Sequence, residues 1–440
     1  MKQTIILLTL ATLLSGTAVA QSGYDFSETG SDGKVLYYEI TGAASVTVYG
    51  HRIDTADSTT VYTGALAIPD TVTHDGVSYA VTAVGDSAFF CQTEITSLSL
   101  PQTLRTIGAL AFHYCRSLTA IDIPEGVTEI GTQGFCSCRN ATRVDIPSTV
   151  TAIGRFAFYA LGTDISSATV TIHNAQCTIA EYAFNVANAQ IDMGNNVVSI
   201  GTKAFEHCHM TGVVVPQSVR HIGYGAFSYC IFLQTATLPN TLDTIPAQMF
   251  NGCISLQDFN IPDSLKYIGD SAFTGCLRFY GDLLLPENLD YIGVYAFAYS
   301  PISAIVSHAA VPPTAFSNTF DGISTSIIVE VPCGSRDAYA AATGWSRFTN
   351  ITENCGGIDD AVAATVTVGP IPASDHITIG AATGATLVEA FGIAGERVCT
   401  LRLPDMPNTA TIDVSHWHPG AYLLRIDTPQ GTVVKKMIKE

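Results

Sequence analysis

Two short stretches of the sequence contain residue types that bind metals or act as redox groups. The stretch "GFCSC" places Cys136 and Cys138 one residue apart, and "HCH" places His207 and His209 on either side of a third cysteine. Thiolates and imidazoles are the usual protein ligands of zinc, and nearby thiols take part in disulfide exchange. The alternative is that both stretches belong to a repeated structural pattern, and the surrounding sequence decides between the two interpretations.

A third stretch resembles the motif of a catalytic serine. The tripeptide "GDS" occurs at residues 85–87 and again at 269–271. Neither copy is accompanied by a G-x-S-x-G, H-E-x-x-H, P-loop or dinucleotide-binding pattern, and no carboxylate pair is marked out as a glycosidase would require. Both copies precede a repeated phenylalanine at the same distance, where Asp or Ser begins a turn. We therefore expect no catalytic residue, no cofactor and no metal site, and predict that the protein is not an enzyme.

Composition and charge restrict the functional classes further. Of the 440 residues, 47% are apolar and 13% are charged, which indicates a buried core rather than a disordered chain. The formal net charge is −18, whereas nucleic-acid-binding proteins need a basic surface. We therefore expect no nucleic-acid partner, and the charge also disfavours docking to an anionic membrane surface.

The first twenty residues have the features of a secretory signal peptide. Lys2 is followed by the apolar stretch "IILLTLATLL", and "AVA" at residues 18–20 is a small-x-small cleavage site. No later stretch reaches about 18 consecutive apolar residues, so we expect no transmembrane segment. Residues 1–20 are thus predicted to direct the chain to a compartment in which disulfides persist.

An internal repeat of about 23 residues occupies more than half of the chain. In one copy the pattern L-x-x-I-x-I begins at Leu118 and ends before Pro124, and Gly131 and Phe135 follow. The copies near residues 161–205 keep the apolar spacing but lose the proline. Successive phenylalanines are 21 to 26 residues apart, and they are Phe89, Phe112, Phe135, Phe158, Phe184, Phe205, Phe227, Phe250, Phe273 and Phe297.

This pattern predicts a mainly β solenoid of about ten coils. The apolar residues of L-x-x-I-x-I point to one side of a short strand, and the proline ends the strand because it cannot donate a ladder hydrogen bond. Gly131 is expected to permit a turn. One coil cannot bury its apolar residues alone, whereas stacked coils bury one another.

The repeat also explains most of the cysteines. Leu161 and Ser300 occupy the same position as the repeated cysteines in other copies, so we interpret it as a small slot in the core and expect reduced thiols there. By the same reasoning, Cys136 falls at a variable polar position and is expected to be a lone exposed thiol. The cysteines three residues after the repeated phenylalanine are Cys115, Cys138, Cys208, Cys230, Cys253 and Cys276.

The repeats resemble a known family. "LPQTLRTIGALAFHYC", "IPEGVTEIGTQGFCSC" and "IPDSLKYIGDSAFTGC" are similar to BspA-type leucine-rich repeats, and the resemblance covers residues 81–332. Residues 21–80 resemble the N-terminal β cap of such proteins, and residues 333–355 the C-terminal cap. In this cap Ser335 is expected to begin a short helix, and Tyr339, Trp345 and Phe348 are suited to covering the open core.

Cys333 and Cys355 lie at the two ends of the predicted C-terminal cap. We expect a disulfide between them in an oxidising compartment, with two free thiols as the alternative. Residues 356–366 are rich in small residues and are predicted to form a linker.

The last segment, residues 367–440, changes to alternating strands and predicts an immunoglobulin-like β-sandwich. "VGPIPASDHITI", "GERV", "IDVSHWHPGAYLLRI" and "KKMIK" resemble the C-terminal sorting domain of type IX secretion, although Ile371 replaces the usual Asn between two prolines. The resemblance implies that the secretion machinery recognises this domain and removes it, and that the source is a Bacteroidetes-type Gram-negative bacterium. The residues that match the family's G-x-Y motif and basic tail are Gly420, Tyr422, Lys435 and Lys436.

The outward positions of the repeat strands are the candidate binding face. The resemblance implies a secreted or surface-displayed adhesion protein, whose partner is a host matrix or plasma protein or another bacterial surface. The alternatives are a structural or glycan-binding envelope protein without a protein ligand, and a face that is merely solvated. The candidate binding residues are Ser99, Asp122, Asp145, Thr237 and Asn260.

Overall fold

The computed structural model of the protein describes residues 24–50, 61–162, 167–173, 176–355, 367–380, 387–392, 397–402, 409–428 and 431–440. The predicted signal peptide and linker, and residues 395–396 of the "GERV" motif, lie outside these residues. The chain divides into two units, the first formed by Met1–Ile328 with Ala340–Asn350 and the second by Val329–Tyr339 with Ile351–Glu440.

Six strands precede the repeats: β1 (Phe26–Thr29), β2 (Val35–Gly42), β3 (Ser45–Tyr49), β4 (Thr63–Ala67), β5 (Thr71–His74) and β6 (Val77–Val84). Strands β1 to β3 form an antiparallel meander, and β3 pairs in parallel with β6. The edge of the Tyr62 ring packs on Phe89, the first repeated phenylalanine, with the ring centroids 5.6 Å apart. The N-terminal strands therefore cover the open end of the repeat core.

Each repeat contributes a first and a second strand. In chain order they are β7 (Glu94–Ser99), β8 (Thr106–Ile107), β9 (Ala120–Asp122), β10 (Glu129–Ile130), β11 (Arg143–Ile146), β12 (Ala152–Ile153), β13 (Ala168–Ile172), β14 (Thr178–Ile179), β15 (Ala189–Asp192), β16 (Ser199–Ile200), β17 (Gly212–Val214), β18 (His221–Ile222), β19 (Thr235–Thr237), β20 (Thr244–Ile245), β21 (Asp258–Phe259), β22 (Tyr267–Ile268), β23 (Asp282–Leu285), β24 (Tyr291–Ile292) and β25 (Ala304–Ser307).

The two kinds of strand stack in parallel on two sides of the coils. The second strands continue the N-terminal sheet in the order β6-β8-β10-β12-β14-β16-β18 and resume as β20-β22-β24. The first strands form the sheets β4-β7, β9-β11-β13-β15, β17-β19-β21 and β23-β25. Equivalent residues of neighbouring coils pair directly, as Ile130 does with Ile107 and Ile153. The solenoid predicted from the sequence is thus confirmed.

The repeated phenylalanines form one continuous stack through the core. Neighbouring rings are nearly parallel, with centroids 5.1 to 6.0 Å apart. The stack includes Phe320, which follows Phe297 by 23 residues and extends the predicted series by one coil. Trp345 and Phe348 pack on Phe320 at 5.2 and 5.4 Å and close this end of the stack.

The repeated glycine has a different role from the one predicted. Gly131 has no positive φ; the residues of its coil with positive φ are Gly126, Gln133 and Ser137. A Cβ added to Gly131 would lie 2.6 Å from the carbonyl carbon of Gly108 in the preceding coil. Glycine is therefore needed because two backbones approach closely, not because the chain turns there.

The end of the repeat region contains β26 (Ile328–Pro332), the helix α1 (Arg336–Ala341) and β27 (Asn350–Asn354). The predicted short helix is confirmed, since α1 begins directly after Ser335. In the second unit, a disulfide joins Cys333 and Cys355.

The C-terminal strands are β28 (Thr367–Gly369), β29 (His376–Gly380), β30 (Leu387–Gly392), β31 (Arg397–Arg402), β32 (Thr409–Asp413), β33 (Gly420–Thr428) and β34 (Gly431–Lys439). They form two antiparallel sheets in the orders β28-β29-β32 and β31-β30-β33-β34. Ile377 and Ile379 of the first sheet and Leu424 and Ile426 of the second share one buried core. This arrangement confirms the predicted β-sandwich.

Candidate functional site

Two of the predicted binding residues lie side by side in an ion-pair network. Asp122 of β9 and Asp145 of β11 are directly paired across the parallel ladder. Arg143 places one guanidinium nitrogen 2.6 Å from Asp122 Oδ2 and another 3.6 Å from Asp145 Oδ2. The His173 ring contacts Asp145 on its other side. These carboxylates are at the surface, but side chains of neighbouring coils already contact them.

The other three predicted residues differ from one another. Ser99 and Thr237 are exposed. Asn260 is half-buried, and its side-chain amide accepts from Leu238 N at 2.6 Å and donates to Leu238 O at 3.0 Å. This amide therefore bonds the backbone of the preceding coil and helps the coils to stack.

Both "GDS" copies serve the stacking of coils. Asp86 Oδ1 accepts a hydrogen bond from Ala109 N at 2.7 Å, and Asp270 Oδ1 accepts one from Val294 N at 2.8 Å. Each carboxylate therefore holds the turn of the following coil. The repeat explains the motif without a catalytic serine.

The repeated cysteines occupy a core position where the side chain points to a backbone carbonyl oxygen of the preceding coil. Cys138 Sγ points to the carbonyl oxygen of Phe112 at 3.4 Å, and Cys253 Sγ points to that of Phe227 at 3.1 Å. Ser300 Oγ makes the same contact with Phe273 O at 2.7 Å, so the slot accepts a small side chain with a weak or strong donor. Burial raises the pKa of these thiols, to about 12 for Cys115 and Cys208. All ten cysteines outside the disulfide are free.

The predicted exposure of Cys136 is wrong. Its side chain is buried, and burial raises the pKa of its thiol to about 11. The same turn position is also buried in other coils, where it holds His113, Asn185, Glu206 and Ser228. The following residue is left-handed in each of these coils, so the alternation between inside and outside that holds for a strand does not apply at this turn. Cys136 is therefore a core residue.

In the "HCH" stretch, Cys208 is buried and the two histidines contact the next coil. The His207 ring stacks on Tyr229 at 5.0 Å, and the His209 ring meets Phe232 edge-on at 5.0 Å. Within the described ranges, the only group of three side chains suited to a metal is Cys333, Glu353 and Cys355, and its two sulfurs form the disulfide.

A surface position that the sequence analysis did not single out distinguishes the two halves of the solenoid. We call the fourth residue after each of the ten repeated phenylalanines from Phe89 to Phe297 the ridge position. It holds polar residues or glycine in the N-terminal coils, from Phe89 to Phe184, and mostly apolar residues in the C-terminal coils, from Phe205 to Phe297. In chain order the ridge residues are Thr93, Arg116, Arg139, Gly162, Asn188, His209, Ile231, Ile254, Leu277 and Pro301.

The apolar residues at the ridge position are exposed to solvent. The exposed fractions are 38% for Ile231, 42% for Ile254 and 49% for Leu277. Tyr229 and Tyr299 lie two residues before the ridge position of their coils and are also exposed. We call these five residues the apolar ridge. Their alignment follows from the repeat, so the sequence contained the signal once the register was known.

The asymmetry extends beyond this ridge. Among the described residues from 85 to 200, only Phe90 and Val186 are large exposed apolar side chains. Isolated exposed apolar residues are common in soluble proteins, but a contiguous patch marks an interaction surface. From residue 201 to residue 330 the exposed set is Val214, Tyr224, Tyr229, Ile231, Phe232, Ile254, Tyr267, Leu277, Tyr280, Leu284, Tyr295, Tyr299, Val311 and Ile328.

The predicted sorting residues lie on the last two strands. Gly420 begins β33, and the buried Tyr422 donates a hydrogen bond from its hydroxyl to His418 O at 2.8 Å. Lys435 and Lys436 of β34 pair with β33 and are half-buried and exposed, respectively. Tyr422 therefore packs within the sandwich, whereas Lys436 is available at the surface.

Comparison with known families identifies the repeats. The family model described as "BspA type Leucine rich repeat region (6 copies)" matches residues 82–192, 161–280 and 198–321. The chain belongs to this family. A second model, described as "Secretion system C-terminal sorting domain", matches residues 367–440.

Solved structures with similarity to this BspA-type chain are also bacterial repeat proteins. A leucine-rich repeat protein from Bacteroides ovatus ATCC 8483 is 21% identical, with 75% of this chain and 100% of that chain covered and a TM-score of 0.33. The T. pallidum leucine-rich repeat protein is 22% identical, with 55% of this chain and 87% of that chain covered and a TM-score of 0.30. The pneumococcal vaccine antigen PcpA is 15% identical, with 76% of this chain and 100% of that chain covered and a TM-score of 0.38. The search of curated proteins found no match.

Membership of the BspA-type family makes the repeat region an interaction scaffold rather than a typical enzyme fold. The sorting domain indicates export to the cell surface or secretion. No helix in the described part of the chain is long and apolar enough to cross a membrane.

Proposed function

We propose that this chain is an exported binding protein, displayed on the outer surface of a Gram-negative bacterium or released from it. Residues 367–440 direct it through the type IX machinery and are removed. The repeat region then binds a macromolecule, either a host matrix or plasma protein or the surface of another bacterium.

One observation supports binding through the apolar ridge. Arg116 and Arg139 occupy the ridge position in coils whose core is the same as that of the coils with Ile254 and Leu277. The fold therefore does not require an apolar side chain there. Exposed apolar side chains lower solubility unless a partner covers them, so their retention in successive coils supports a binding role.

The test uses the purified full chain and two matched variants. The ridge variant, Ile254→Arg with Leu277→Arg, introduces the side chain that other coils carry at this position. The control variant, Arg116→Ser with Arg139→Ser, changes the same position in the N-terminal coils. All three are passed over immobilised host matrix proteins, plasma proteins and bacterial surface material.

We expect the wild-type chain and the control variant to be retained by one of these materials, and the ridge variant to be retained at least about tenfold less strongly. Retention of none of the three proteins on any material would contradict the proposed function.

A further inference from the structure

We infer that the partner of the apolar ridge is a protein surface with apolar side chains at its centre and positive charges at its rim. This inference rests on the proposed binding function and specifies the chemistry of the partner. Three features of the C-terminal coils support it: the packing of Tyr229, an opening at Gly275, and exposed carboxylates in the same coils that make no ion pair.

Tyr229 of the apolar ridge presents the edge of its ring to solvent, because both faces of the ring are covered. One face of Tyr229 stacks on His207 at 5.0 Å. Its other face lies over Gly252, where an added Cβ would be 2.6 Å from Tyr229 Cδ1. One face of Tyr299 lies over Gly322, where an added Cβ would be 2.7 Å from Tyr299 Cδ1. Sugars stack on the open faces of aromatic rings, so the covered faces of Tyr229 disfavour a glycan at that position. Ring edges and hydroxyls are suited to the mixed apolar and hydrogen-bonding contacts of protein interfaces.

Between these two tyrosines the ridge has an opening. Gly252 and Gly275 occupy the tyrosine position in the two intervening coils, and a Cβ added to Gly275 would meet no atom nearer than 4.0 Å. Tyr229 and Tyr299 adopt the same left-handed backbone as these glycines, so the backbone does not by itself require glycine at Gly275. The Tyr229 ring already covers Gly252, so the opening is confined to Gly275 and is one coil step wide, about 4.8 Å. An opening of this size fits one inserted apolar side chain of a protein partner.

The charged residues in the coils that carry the ridge indicate the charge of the partner. Residues 212–311 contain seven carboxylates, all exposed, and three lysines or arginines, namely Arg220, Lys266 and Arg278. Among the described residues, no ion pair involves any of the seven. The carboxylates are Asp243, Asp258, Asp263, Asp270, Asp282, Glu287 and Asp290.

The N-terminal coils differ in this respect. There, Asp122 pairs with Arg143 at 2.6 Å and Glu181 pairs with Arg155 at 3.3 Å. The C-terminal coils therefore combine exposed apolar side chains with carboxylates that make no ion pair among the described residues. A partner with lysines or arginines at its rim supplies the missing charge, whereas an anionic membrane surface would be repelled.

The experiment measures the affinity of the full chain for three peptides with the same length. The first has a Leu-Tyr-Leu centre flanked by lysines, the second has the same centre flanked by glutamates, and the third has the lysines with a Ser-Gly-Ser centre. Soluble oligosaccharides and phosphatidylglycerol vesicles are measured in parallel. The proteins are wild type, the ridge variant, the control variant and a rim variant, Asp258→Asn with Asp282→Asn.

We expect the lysine-flanked apolar peptide to bind at least about tenfold more tightly than either other peptide. The ridge variant should lose about tenfold in affinity for it, the rim variant should show a weaker dependence on salt, and the control variant should behave like wild type. Equal affinity for the glutamate-flanked peptide, or an unchanged affinity in the ridge variant, would overturn the inference. Binding of oligosaccharides or vesicles that the ridge variant abolishes would also overturn it, yet would leave the proposed binding function in place.

Discussion

The ridge position holds Arg116 and Arg139 in the N-terminal coils, whereas it holds Ile254 and Leu277 in the C-terminal coils. Beneath these residues the two regions are alike: each coil contributes a phenylalanine to the same stack, and Cys138 and Cys253 occupy the same buried position three residues later. Burial of the core thus leaves the ridge position free to vary. The ridge residues differ because the two surfaces contact different surroundings. Four predictions distinguish the effects of the shared core from those of the variable surface.

The largest effect is expected where the regions are the same. Phe135→Ala in an N-terminal coil and Phe250→Ala in a C-terminal coil should each lower the free energy of unfolding by about 3–5 kcal/mol, because each removes a fully buried ring from the stack. Urea unfolding followed by circular dichroism measures this loss. Phe232→Ala, at an exposed ring outside the stack, is the control and should cost less than about 1 kcal/mol. A large loss in one region only would contradict a common core.

Acid should affect the N-terminal coils selectively. Burial lowers the pKa of His113 from 6.5 to about 4, so the unfolded chain binds a proton in this range while the folded chain does not. The contribution of neutral His113 to the free energy of unfolding is therefore fully present above pH 6.5. It is lost as the pH falls toward 4, by up to about 3 kcal/mol. Hydrogen exchange of the N-terminal coils between pH 7 and 4.5 should show this loss, and His113→Phe should remove it. An identical pH dependence in wild type and variant would contradict the assignment.

Alkali should affect both regions. Burial raises the pKa of Cys138 and of Cys253 well above 9.0, so the unfolded chain releases protons that the folded chain retains. Stability is then fully present below pH 9 and is lost as the pH rises, by about 1.4 kcal/mol per pH unit for each thiol. Cys138→Ser and Cys253→Ser should each reduce the slope by that amount in urea unfolding with a reductant present. A slope that neither variant changes would show that these thiols are not buried.

The smallest effect on stability is expected at the ridge itself. The ridge variant and the control variant should each change the free energy of unfolding by no more than about 0.5 kcal/mol, since both alter exposed side chains. Urea unfolding under the same conditions as for the phenylalanine variants measures the change. A loss above about 2 kcal/mol in the ridge variant would mean that Ile254 and Leu277 contribute to folding, and the two regions would then differ in their cores.

The periodic part of the fold could be predicted from the sequence. Burial of Phe135 and Cys138 follows from their recurrence at one repeat spacing, because identical neighbours in stacked coils share one environment. Phe320 was missed only because the series was ended at Phe297, although it lies at the same spacing. The C-terminal sandwich was predictable from its alternating strands.

The burial and packing of the turn residues could not be predicted from the sequence in the same way. The prediction for Cys136 assumed that residues alternate between inside and outside, which holds for a strand but not where Ser137 is left-handed. The role of Gly131 depends on the distance between two coils, which the sequence of one coil does not contain. The apolar ridge was overlooked for the same reason, since the exposure of Ile254 and Leu277 depends on turn geometry. The strand face was chosen instead, where Asp122 and Asp145 are paired within the fold and Asn260 bonds the backbone.

An arginine scan of one repeat position tests the central claim most directly. Thr93→Arg, Asn188→Arg, Ile231→Arg, Ile254→Arg and Leu277→Arg place the same side chain on the same turn in successive parts of the solenoid. The measurement is the affinity of each full-length variant for the lysine-flanked apolar peptide. Binding through the apolar ridge predicts wild-type affinity for Thr93→Arg and Asn188→Arg and a severalfold loss for each of the other three. A uniform profile, or a loss confined to the N-terminal positions, would contradict it.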